Sequence, residues 1–168
     1  MNNKKIFISA LILFSIGAFF HFVYDWVRVP FIAWLFPVNE SIFEHTKLIV
    51  TPLSIYYFCN MIKNPNDTKK IFFELNLSIL FGMFFMITIY YTVFGIFGKD
   101  FKIFNILILL ISLLISLYIS MHISKYKKLE IKHSLIIYLS LILYIIVMTY
   151  YPFKIPFFYD FSTFKYGI

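Results

Sequence analysis

The chain has 168 residues, 61% of them hydrophobic and 14% charged, with a net charge of +7 and a mean hydropathy of +0.85. A soluble domain is nearer half apolar and a quarter charged, so this composition excludes an ordinary soluble domain and places the chain among membrane proteins. The basic residues are spread through short loops between apolar runs, which is a membrane-orientation pattern and not a nucleic-acid footprint. A single cysteine, Cys59, excludes an intrachain disulfide and a Cys-rich metal site.

A membrane-crossing helix needs about 20 mostly apolar residues. The length accommodates one integral membrane domain over 1–168, and five spans are predicted at about 6–27, 46–62, 71–97, 103–123 and 134–151. The first follows Lys4 and Lys5 and looks like a signal peptide. Its apolar run is too long for a typical h-region and no A-x-A site follows, so it is read as a retained helix. Between the first two spans, 28–45 carries Pro30, the apolar "FIAWLF", Pro37 and then a polar cluster, which suggests a short re-entrant or interfacial segment. Pro52 in the second span predicts a kink. The third is long enough to tilt. The expected fold class is an all-α membrane protein, a bundle of five transmembrane helices, followed by an aromatic tail over 152–168.

Lys and Arg in the loops set the orientation. Nine (Lys4, Lys5, Lys63, Lys69, Lys70, Lys125, Lys127, Lys128, Lys132) fall on one side and six (Arg28, Lys47, Lys99, Lys102, Lys154, Lys165) on the other. The richer side is predicted to be cytoplasmic. The N-terminus is then inside and the C-terminus extracytoplasmic, and the outer end of helix 1, the 28–45 segment, the start of helix 2 and the tail share the outer face.

That face collects the chemistry. In "HFVYDW", His21 and Asp25 are spaced i, i+4 and share a helix face. His21 lies roughly 22 Å along the span, at about 1.5 Å per residue. An ionisable group at that depth needs a protein partner or a function. A carboxylate behind an imidazole fixes its tautomer and raises its basicity, which suits a metal ligand or a base; a helix-orienting hydrogen bond is the alternative.

In "PVNESIFEH", Ser41 and Glu44 fit a capping box, with Asn39 as an alternative cap. This leaves Glu40 and His45 unexplained, and Glu40 and Glu44, four apart, would repel without a cation, proton or basic group between them. Two imidazoles with carboxylates suit a divalent metal ion, zinc first. On this reading His21, Asp25 and His45 are metal ligands and Glu40 and Glu44 carry catalysis. Asn39, Arg28, Lys47, Asp160 and Tyr166 support the site or touch substrate. The motifs H-E-x-x-H, G-x-S-x-G, G-x-G-x-x-G and the P-loop are absent.

The tail "YPFKIPFFYDFSTFKYGI" reads as an interfacial aromatic belt or, alternatively, a lid. Glu74 and Asn76 read as capping or snorkelling groups at the start of helix 3. The loop "SKYKKLEIK", flanked by His122 and His133, reads as a contact for anionic headgroups.

"HFVYDW", "PVNESIFEHTKL" and the ending "YDFSTFKYGI" together resemble a family of small, uncharacterised multi-pass membrane proteins of low-GC Gram-positive bacteria. A chain rich in Ile, Phe, Lys, Asn and Tyr fits such an AT-rich source. The resemblance spans nearly the whole chain and implies that His21, Asp25, Asn39, Glu40, Glu44 and His45 are the family's shared polar positions. It implies no activity.

Three functions are weighed. The first is a metal-dependent hydrolase or transferase acting on a lipid-linked substrate at the outer face of the cell membrane. The second is a transporter or channel accessory subunit with a proton or cation site. The third is a non-catalytic scaffold. The lipid bilayer is the expected partner and nucleic acid is not one; a homo-oligomer is compatible with the pattern but has no support in it.

Overall fold

In a computed structural model the protein is described over residues 3–99, 102–126 and 130–168. Lys127 and Lys128 of the basic loop lie outside the described residues.

Five α-helices carry the fold: α1 (Asn3–Val27), α2 (Ile42–Lys63), α3 (Thr68–Phe97), α4 (Lys102–Tyr126) and α5 (Ile131–Tyr150). Four of them, α1, α3, α4 and α5, are long and apolar enough to cross a membrane. Their outward faces carry large apolar side chains such as Phe7, Ile12, Phe84, Ile106 and Leu143. A 3₁₀ turn, Pro30–Ile32, opens the connection between α1 and α2. Another 3₁₀ turn, Pro65–Asp67, joins α2 to α3, and after α5 a third (Pro156–Phe158) leads into an antiparallel hairpin of two-residue strands, β1 (Tyr159–Asp160) and β2 (Lys165–Tyr166), an addition to the all-helical expectation.

The organising element is α2. It begins at Ile42, ahead of the expected 46, and every residue from Ser41 to Ser54 is buried except His45, which is partly so. Its neighbours are α1, α3, α4 and the Pro156–Phe158 turn. A helix buried all round must be approached closely, and two glycines allow it. A Cβ on Gly17 of α1 would stand 3.0 Å from the Leu48 carbonyl oxygen, and one on Gly82 of α3 would stand 2.8 Å from Ile49 Cγ2. Small residues let helix backbones close up where lipid offers no hydrophobic drive.

The same device joins α3 to α4. Ser112, Ser116, Ser120 and Ser124 recur every fourth residue on α4 and are all fully buried. Ser78 Oγ donates to Ser120 Oγ at 2.7 Å and lies 2.8 Å from the Tyr57 hydroxyl, tying α2, α3 and α4 together. Lower down, Ser124 Oγ donates to Glu74 at 2.6 Å and the Asn76 amide donates to the Ser134 carbonyl at 2.9 Å. Glu74 and Asn76 therefore bridge α3 to α4 and α5 and cap no helix. Helix α5 meets α2 through Tyr138, whose hydroxyl donates to Ser54 Oγ at 3.0 Å. An apolar groove lined by Phe20, Phe36, Phe58 and Ile142 among others runs along this side of α2.

The 28–41 connection folds down onto α2. Ala33 and Leu35 offer their carbonyls to Lys47 Nζ (2.8 Å) and Thr51 Oγ1 (2.7 Å). Those hydrogen bonds, with Phe20 and Phe36 edge to face at 5.0 Å, hold the segment against the bundle.

Candidate functional site

Three side chains from three pieces of chain meet at one end of the bundle: His21 from α1, Glu40 from the connection and His45 from the first turns of α2. Each offers a ligand atom, and these lie within 4.8 Å of one another. The Nε2 atoms of His21 and His45 are 3.3 Å apart. One Glu40 oxygen is 3.6 Å from His21 Nε2 and the other is 3.5 Å from His45 Nε2.

Local sequence explains each placement. Ser41 is the N-cap of α2, and its Oγ accepts from the Glu44 N–H at 3.3 Å. The Ser41 N–H is taken by Asn39 Oδ1 at 2.9 Å, so the returning Glu44 carboxylate accepts from the Val38 N–H at 2.9 Å instead. This modified capping box fixes the path of residues 38–41. His45 Nδ1 lies 2.9 Å from the Ser41 carbonyl, which can only accept. That nitrogen therefore carries the proton, and Nε2 presents its lone pair to the group, the usual second-shell arrangement of a metal-ligating histidine. His21 has no such support, because its buried Nδ1 has no hydrogen-bond partner among the described residues.

The group is electrostatically suited to a cation. The adjacent His21 imidazole holds Glu40 below the ordinary carboxylate value, and burial opposes this. The imidazoles are mostly buried, at 25% and 14% exposure, whereas Glu40 is 54% exposed, so the group has an open side. A narrow cleft adjoins it, lined by Glu40, Ile42, His45, Met86, Tyr90, Asn105 and Ile108.

The donor set passes a fit test. Two nitrogens 3.3 Å apart, each about 2.05 Å from one ion, would subtend about 107°, near the tetrahedral angle. Two imidazoles and one carboxylate are donors that could hold a metal ion.

The remaining candidates are placed as follows. Asp25 is exposed one turn beyond His21, and its backbone carbonyl accepts from Arg28 Nε at 3.2 Å. Its carboxylate is not part of the group. Arg28 is exposed, with a positive φ of 50° where the chain leaves α1. Glu44 and Lys47 turn the other way, into the protein, and form an ion pair that is almost wholly buried. The pairing removes the expected repulsion between Glu40 and Glu44, since Lys47 neutralises the second of them.

The tail closes over the connection. Asn39 Nδ2 donates to the Gly167 carbonyl at 2.9 Å, and the Glu40 N–H donates to Asp160 Oδ2 at 3.2 Å. Phe157, Phe158 and Tyr166 pack around Phe43 and Met148, and Tyr166 stands against Tyr159 with ring centroids 4.9 Å apart. Burial pushes Asp160 up, but hydrogen bonds from Ser162, Thr163 and the Glu40 N–H outweigh it and leave the carboxyl below its ordinary value. Tyr90, Met86 and Asn105 were not singled out in the sequence; nothing local marks them, since their helices only meet the site in three dimensions.

No curated protein and no solved structure matches the chain. One family model does, over residues 1–168, and the chain belongs to that family of unknown function, DUF6512.

Proposed function

We propose that the protein is a metal-dependent membrane enzyme, a hydrolase or transferase whose divalent ion, zinc by preference, is held by His21, Glu40 and His45. The observation that carries this reading is the three-donor group with one open side and a cleft beside it. An ion held there would polarise an ester or phosphate oxygen and lower the pKa of a bound water. His45 is pre-oriented by the Ser41 carbonyl, and Glu40 balances the charge. Glu44 serves to hold the loop, because the Lys47 ammonium and the Val38 N–H both donate to its Oε2. The substrate class is a lipid-linked ester or phosphate, since a site at the end of a lipid-facing bundle meets headgroups first.

Orientation belongs to the same proposal. Lys47 is buried and is no loop charge, so the comparison becomes nine basic residues against five, with the N-terminus cytoplasmic and the site outside. Helix α2 is the fifth span. Its 22 residues reach roughly 33 Å, and its polar groups face protein and avoid lipid.

The test is metal analysis of detergent-purified protein, followed by turnover of a panel of lipid-linked esters and phosphates. Stoichiometric metal, lost in His21→Ala and His45→Ala, is expected. Metal-free wild type that takes up no added zinc would end the proposal. A second reading, a cation or proton pathway, draws on the buried serines between α3 and α4 and their link to Glu74. Glu40-dependent flux in proteoliposomes would favour it.

A further inference from the structure

We infer that Asp160, in the C-terminal strap 152–168, is a positioning residue for Glu40 and so sets how tightly the proposed site holds its metal; this rests on the metal-site reading above.

Glu40 is the one ligand not mounted on a helix. Its backbone position is fixed from outside, and the group that fixes it is fully buried. Asp160 Oδ2 accepts from the Glu40 N–H at 3.2 Å and from the Thr163 hydroxyl at 2.8 Å. Its other oxygen, Oδ1, accepts from the Ser162 N–H (2.7 Å), the Ser162 hydroxyl (2.6 Å) and the Thr163 N–H (3.3 Å). One oxygen thus organises the turn of the hairpin while the other reaches the metal-binding loop. The strap is anchored a second time where Asn39 meets Gly167. There φ is +64°, and a Cβ would stand 3.0 Å from Pro152 Cγ and 3.2 Å from the Thr149 carbonyl oxygen, so only glycine fits without strain. The two anchors hold adjacent residues, Asn39 and Glu40, 120 or more positions away in sequence.

The two oxygens make Asp160→Asn selective. An amide has one acceptor oxygen. The three donors on Oδ1 retain it, the Thr163 hydroxyl can rotate to accept from the new NH₂, and that NH₂ then faces the Glu40 N–H, donor against donor. The turn survives and the hold on Glu40 is lost.

The experiment measures Co²⁺ affinity and the tetrahedral Co²⁺ absorption of purified wild type, Asp160→Asn, Glu40→Ala and the double variant, with Ser162→Ala as a control that weakens the turn and leaves the Glu40 contact. Loss of an outer-shell partner typically weakens metal binding about 10–100-fold, and that loss is expected for Asp160→Asn. Because Asp160 acts through Glu40, adding Asp160→Asn to Glu40→Ala should change affinity by no more than about twofold, the scatter of independent sites. Ser162→Ala should stay within the same limit.

Equal losses in the wild-type and Glu40→Ala backgrounds would show a plain charge or folding effect and overturn the inference, as would wild-type affinity in Asp160→Asn. Gly167→Val, which releases the other anchor, serves if Asp160→Asn does not fold; unaltered affinity there would overturn it equally. Failure of wild type to bind Co²⁺ or Zn²⁺ at all would instead refute the metal site itself.

Discussion

Lys47→Met is the sharpest test of how the connection is held. The ammonium is fully buried and donates to Glu44 and, at 2.8 Å, to the Ala33 carbonyl. Methionine fills similar volume but leaves Glu44 with only the Val38 N–H and Ala33 with no donor from this side chain. Removing one partner of a buried ion pair costs about 3–5 kcal/mol. The carboxylate has one escape, which is to take up a proton. At pH 7 that costs about 3.7 kcal/mol for an ordinary carboxyl of pKa ~4.3, at ~1.36 kcal/mol per pH unit, and at pH 5 only about 1 kcal/mol. The penalty should therefore be close to 4 kcal/mol at pH 7 and shrink by about 2–3 kcal/mol by pH 5, less whatever is lost at Ala33. The double variant Glu44→Gln/Lys47→Met should recover most of the stability at both pH values. Thermal unfolding in detergent, followed by far-UV circular dichroism and calibrated against wild type at each pH, reads these differences. A loss below about 1 kcal/mol at pH 7, or one unchanged at pH 5, would refute the buried-pair reasoning.

Other expectations are more direct. Glu40→Gln should weaken zinc binding by at least the ~10–100-fold that outer-shell partners contribute, read by chelator competition, and leave thermal stability of the metal-free protein near wild type. Zinc affinity should fall as pH drops, approaching about a hundredfold per pH unit once both imidazoles are protonated in the free protein, because each must lose a proton to bind; a slope of zero would argue against histidine ligation. Gly82→Ala should destabilise by about 1–3 kcal/mol through overpacking against Ile49, and Gly95→Ala, where a Cβ meets nothing within 4 Å, should not. In a Cys59→Ser background, a cysteine at exposed Phe153 should react with a membrane-impermeant maleimide in intact cells; protection there with labelling after lysis would invert the proposed orientation.

How much of this was legible beforehand depended on the range of each interaction. The helices were, because apolar runs of span length are a local signal; only their ends moved by a few residues, as at Ile42. The clustering of His21 and His45 was legible too, since both sit at one end of neighbouring helices. Which carboxylate joins them was not. Asp25 shares a face with His21 by spacing, yet that face runs out toward solvent one turn later. Glu40 arrives by way of a loop whose course is set by Asp160 and Gly167, and no local pattern in the motif encodes contacts that distant. The fate of Glu44 did have a local signal that carried little weight: Lys47 stands three residues on, where a helix brings side chains together, although nothing in the spacing says that the pair faces inward.

The nine residues 37–45 are thus polar for three separate reasons. Ser41, Asn39 and the Glu44–Lys47 pair bind the segment to its own helix, Asn39 and the Glu40 backbone bind it to the tail, and the Glu40 and His45 side chains meet His21. The first two sets are spent on holding the segment in place, whereas Glu40 and His45 meet each other and His21 at the mouth of the site. The remainder, facing His21 across less than 4 Å, is what a purely structural account leaves over, and a cation is the simplest occupant that draws two imidazoles and a carboxylate to one point.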